Sequence, residues 1–133
     1  MIKKYSHIQG YSDLIAFQWF LNLTINKKLQ TFVDIGSELD KIVYWANFAT
    51  CHSVEESVGN NTFVNPLNII VHNDSPFNID AKKSEVQLVT SVNSFNKYNT
   101  DELIKVMAEI NRITKKYGNF LLSIEVGNSK YED

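Results

Sequence analysis

A chain of 133 residues has the length of one domain and can bury a single hydrophobic core without a metal or disulfide. With 44% hydrophobic and 21% charged residues it is neither disordered, collagen-like nor a coiled coil. A net charge of −2, with Arg112 the only arginine, argues against a basic face that contacts nucleic acid directly.

The single cysteine, Cys51, excludes an intramolecular disulfide framework and a multi-cysteine zinc site, and fits the cytoplasm. Many Asn and Lys residues with so little Arg suggest an AT-rich bacterial coding genome. No repeat, low-complexity tract or Pro/Gly-rich linker divides residues 1–133, so one domain is expected.

In chain order, the first apolar stretch, Leu14 to Ile25, is shorter than the roughly 20 residues of a membrane span. Gln18 and Asn22 interrupt it, and no small-residue cleavage site follows, so it reads as core. Ile15, Phe17, Trp19, Leu21, Leu23 and Ile25 alternate with polar positions and predict a strand. Gln18, Asn22 and Asn26 leave open a buried helix beginning at Ser12. The strand would turn at Asn26 to Lys28 and return through Leu29, Thr31, Val33 and Ile35 as a hairpin.

Gly36 ends that strand. Ser37 and Asp40 have capping-box spacing, and Leu39, Ile42, Val43, Ala46 and Ala49 predict a helix from Glu38 to about His52. The alternative is a strand with Ile42, Tyr44, Ala46 and Phe48 inward. Residues 53–62 read as loop. Leu67 to Val71 predicts a strand ended by the turn residues Asn73, Asp74, Ser75 and Pro76, meandering into a strand from Val86 to Val92. A helix from Asp101 to Tyr117 is signalled by Leu103, Val106, Met107, Ile110 and Ile113 on one face, with Thr100 as N-cap and Gly118 as stop. Phe120, Leu122, Ile124 and Val126 predict a last strand. The sum is an α+β domain with a mainly antiparallel sheet of about five to six strands and two packed helices.

No phosphate-binding glycine loop, nucleophile elbow or His-Glu-x-x-His is present, and no catalytic, cofactor-binding or metal residues are assigned. His72 and Asp74 end an apolar strand but sit in turn chemistry. Cys51 beside His52 reads as an inert buried thiol, and one His–Glu pair is not a metal site. The candidate site is instead a partner-binding stripe of Trp45, Phe48, His52, Glu55 and Glu56 on the second helix, aromatic anchors beside carboxylates that steer a basic partner.

The composition therefore points to a non-catalytic protein-binding module: a small cytosolic inhibitor or immunity-type protein that neutralises a partner enzyme or toxin, for instance a basic nuclease. The alternative is a small enzyme or small-ligand-binding protein with an apolar pocket supplied by His72, Asp74 or His52. A third reading, a sheet-mediated oligomerisation module, would expose a face containing Phe20 and Tyr44.

Overall fold

The computed structural model describes residues 11–55, 63–64 and 68–124. Helix α1 (Tyr11–Lys27) is followed by strand β1 (Thr31–Ile35), a single helical turn α2 (Leu39–Ile42) and a 3-10 turn at Trp45–Asn47. Strands β2 (Thr50–Val54), β3 (Phe63–Val64), β4 (Ile69–His72) and β5 (Val86–Val92) come next. A second 3-10 turn (Phe95–Lys97) leads to helix α3 (Thr100–Ile113), which runs directly into β6 (Thr114–Ser123).

These strands form one sheet in the order β3-β4-β2-β1-β5-β6. Five of them are mutually parallel; only the two-residue β3, at the edge, pairs antiparallel with β4. The expected mainly antiparallel sheet is thus corrected to a parallel, doubly wound one. The physical reason lies in β5, where Leu88 to Val92 are all buried: a strand covered on both faces shows no clean inward–outward alternation from which pairing could be read.

Residues 14–25 are helical, not the first strand of a hairpin. The buried stripe is Ala16, Phe20 and Thr24 at four-residue spacing, while Gln18, Asn22 and Asn26 are exposed. The apolar content runs almost all round the helix, which left Ile15, Trp19 and Ile25 exposed and mimicked a period of two. Lys28, at φ 53°, ends the helix rather than turning a hairpin, and the Leu29 N–H donates to Thr24 O (3.0 Å).

The expected helix over 38–52 is broken into α2, the 3-10 turn and β2. Ser37 is not its cap, because its side chain is drawn inward to Asp34, and the N-cap position falls on Glu38, which makes no side-chain cap. The β-branched residues Thr50 and Val54 bound a short strand that is docked beside β1 over its whole length. The helix at 101–117 stops at Ile113; its N-cap is Asn99, in a reciprocal capping box with Glu102. Gly118 is not the stop. It lies inside β6, where a Cβ would come within 2.9 Å of Gln87 O, so the close approach to β5 requires glycine.

The sheet separates two cores. Phe32, Cys51, Ile69, Val71 and Leu88 pack under α1 and the segment carrying Trp45, Ala46 and Ala49. Ile35, Val54 and Val89 pack on the other face against Phe95, Val106, Ile110 and Ile113. Phe20 is fully buried and Tyr44 exposed, so they share no face. Among the described residues, no helix is long and apolar enough to cross a membrane.

Candidate functional site

Starting from β1, the chain builds outward through β2 and β4 on one side, then returns to build β5 and β6 on the other. The reversal falls between β1 and β5. In parallel sheets of this kind, the loops leaving the two strands diverge at that point and open a crevice outside the carboxyl ends, where ligands bind.

A cavity of about 420 Å³ lies at that edge, between the tips of β1 and β2 and the segments carrying Phe77, Lys97 and Tyr98. It falls in the size range of small-ligand sites. At its floor, Gly36 has φ +73°, the left-handed region. A Cβ there would meet Lys97 Nζ at 3.1 Å and Ser94 Oγ at 3.3 Å.

Beneath the turn sits a buried polar network. Asp34, fully excluded from solvent, accepts from Thr90 Oγ1 (2.6 Å), Ser37 Oγ (2.8 Å) and the Ser37 N–H (3.0 Å). Burial pushes its carboxyl up to about 6; the Thr90 and Ser37 hydrogen bonds oppose that rise, and the nearby Glu55 charge adds to it. Ser37 Oγ in turn accepts from the Val92 N–H (2.7 Å). The hydroxyls of Ser91 and Ser94 lie 2.8 and 2.9 Å from the Ile35 carbonyl and within reach of each other. The tips of β1 and β5 are therefore fixed to one another by side chains as well as by the ladder.

Glu55 stands at the tip of β2, its N–H donating to His72 O (3.0 Å). The far wall is apolar: Pro76 is buried, and Phe77 packs on Tyr98 with ring centroids 5.9 Å apart. The stretch after this wall is clamped to α3. Arg112 donates to Ile79 O (2.9 Å) and Ala81 O (2.8 Å), and Glu109 accepts from the Ile79 N–H (2.5 Å) while pairing with Arg112. The Arg112 hydrogen bond holds the Glu109 carboxyl below its ordinary range.

A second groove, about 560 Å³, opens on the sheet face of Val33, His52, Val54 and His72. His52 and His72 face each other there with rings stacked at 5.3 Å. Asp74 lines the same groove. Among the described residues, no three His, Cys, Asp or Glu side chains are placed to hold a metal ion.

The structure does not gather the expected stripe onto one surface. Trp45 is 3% exposed and stacks on Phe20 at 4.6 Å inside the core, whereas Phe48 is half-exposed. His52 lies on the opposite sheet face, Glu55 borders the crevice, and Glu56 lies outside the described residues. Cys51 is buried in the sheet, and burial pushes its thiol upward. Sequence reasoning missed Gly36, Ser94 and Lys97. The available signal was Asp34-Ile35-Gly36 closing a β-branched run, with an acid, Glu55, about twenty residues on at the end of a second such run.

No family model matches the sequence, and no curated protein matches it. Solved structures do. A protein of Methanococcus maripaludis proposed as an S-adenosyl-L-methionine-dependent methyltransferase superposes with TM-score 0.63 at 17% identity, over 96% of this chain and 64% of its own. Haemonchus contortus phosphoethanolamine N-methyltransferase 1 gives TM-score 0.60 at 16% identity, over 74% of this chain and 23% of its own. A SAM-dependent methyltransferase from Archaeoglobus fulgidus gives TM-score 0.59 at 9% identity, over 90% and 55%. The chain thus has the Rossmann-like methyltransferase fold and spans less than two thirds of each of these proteins. That likeness overturns the expected inhibitor, immunity or toxin-neutralising role, which had rested on a missing catalytic constellation and an antiparallel α+β domain.

Proposed function

We propose that the chain is an S-adenosylmethionine-dependent methyltransferase, with the cofactor's adenosyl group in the crevice outside the tips of β1 and β2. The observation that carries this reading is Gly36, left-handed at φ +73°, beside Glu55 at the switch point of a parallel sheet. A nematode enzyme of the same fold was solved with S-adenosylhomocysteine, which supports the choice of ligand.

The donor set of the crevice suits that group. Glu55, at the end of the second strand, is placed to accept hydrogen bonds from ribose hydroxyls. Pro76 and Phe77 offer an apolar wall for a purine ring. The carboxylates of Glu55 and Glu102 outnumber the one ammonium, Lys97, and so complement a ligand of net positive charge. When bound, S-adenosylmethionine supplies a methyl group activated on a sulfonium. The chain's own part is to orient the nucleoside between Glu55 and Phe77, while the Arg112 clamp keeps the neighbouring strap over the sheet.

Calorimetric titration of the purified protein with S-adenosylhomocysteine tests the proposal. Saturable binding, weakened at least tenfold by Glu55→Ala and abolished by Gly36→Val, is expected. A wild-type protein that binds neither S-adenosylhomocysteine nor S-adenosylmethionine at millimolar concentration would overturn it.

A further inference from the structure

The turn after β1 differs from a glycine-rich ligand cradle in one respect with chemical consequences. In such cradles, backbone N–H groups and the following helix N-terminus face an anionic part of the ligand. Here the donors are already engaged. The Gly36 N–H donates to Val54 O (3.2 Å), and the Ser37 N–H and hydroxyl are both directed to Asp34. The helix that follows, α2, is a single turn of four residues, too short to present a useful dipole.

Lys97 occupies the space those donors leave. Its ammonium lies 3.1 Å from where a Gly36 Cβ would stand, so the absence of a side chain at Gly36 is what admits it. The Tyr98 ring, 5.5 Å from Nζ, steadies its position. It is the one basic side chain among the residues described around the crevice, where Glu55 and Glu102 supply the opposite sign.

We infer that Lys97 replaces the turn amides and binds the carboxylate of the ligand's amino-acid portion, making the crevice selective for adenosyl compounds that keep an α-carboxylate. The inference rests on the proposed cofactor site and deepens it. An ammonium aimed at a carboxylate forms a charge-assisted hydrogen bond, and a ligand lacking that carboxylate gains nothing from it.

Two ligands separate the inference from the reading beneath it: S-adenosylhomocysteine, which carries the carboxylate, and 5′-methylthioadenosine, which lacks the amino-acid portion. Titrating both into wild type and Lys97→Met, with thermal melting to verify that the variant folds, gives the outcome. The expected result is a fall of about tenfold to a hundredfold in affinity for S-adenosylhomocysteine, the range for deleting one charge-assisted hydrogen bond, with 5′-methylthioadenosine binding unchanged. Equal losses for both ligands, or no loss for either, would overturn the role of Lys97 while leaving the cofactor site standing. Wild-type protein that binds neither would overturn both.

Discussion

His52 Nδ1 and His72 Nε2 lie 3.0 Å apart across the parallel strands β2 and β4, so one proton serves both nitrogens. Burial, then the neighbouring His72, lowers the pKa of His52 below its ordinary value. A folded pKa below the unfolded one gives stability that is present above about pH 6.5 and is lost as pH falls through the folded value. Urea unfolding between pH 7.5 and 5 is expected to show this acid-side decline, and His72→Asn to flatten it. An unchanged slope in the variant would remove the pair as its cause.

Asp34 works in the opposite direction over a lower window. Its pKa is raised by burial from 3.8 to about 6, so the fold favours the protonated form. Stability from this group is full below about pH 4 and declines as pH rises to about 6, by about 3 kcal/mol for a shift of that size. Asp34→Asn cannot ionise and is expected to lose the decline, even though it places an amide near the Ser37 N–H. Denaturation midpoints at pH 4, 5 and 6 check the slope rather than the absolute stability.

Trp45 and Phe48 should part company on truncation. Trp45→Ala empties a core position between Phe20 and Phe32 and is expected to cost about 3–5 kcal/mol. Phe48, half-exposed at the edge of Phe17, should cost clearly less when changed to Ala. Thermal melts of the two variants give the comparison directly.

Arg112→Ala leaves the Ile79 and Ala81 carbonyls and the Glu109 carboxylate without their shared partner. Glu109 is mostly buried, so the variant is expected to be less stable by about 1–3 kcal/mol. Hydrogen exchange should rise at the Ile79 amide more than in β1 or β2. Uniform acceleration across the sheet would mean that the clamp stabilises the whole domain and not the strap.

Local chemistry was legible where a segment's signal did not depend on its neighbours. The amphipathic face of Leu103, Val106, Ile110 and Ile113 located α3, and Val86 to Val92 was read as a strand at the residues it occupies. Strand direction was not legible, because parallel pairing joins residues far apart in sequence: Val33 neighbours both His52 and Val89. Trp19 and Ile25, exposed on α1, carried the false period of two. The crevice was hidden for the same reason. Gly36 and Glu55 become neighbours only once β1 and β2 run side by side, and reading 38–52 as one helix erased β2 altogether. Lys97 carries no local signal, since its importance comes from the empty space above Gly36.

The direct passage from Ile113 in α3 to Thr114 in β6 also sets how this gene can vary in length. With no connecting loop, one added residue at that junction must either turn the helix by about 100° or invert which side chains of the strand face each core. Either change would expose Ile110 or Leu121 and bury lysine. Length variation among descendants of this sequence should therefore collect in the stretch around Lys82 to Glu85, where exposed residues lie between ordered anchors, and be absent at the helix–strand seam.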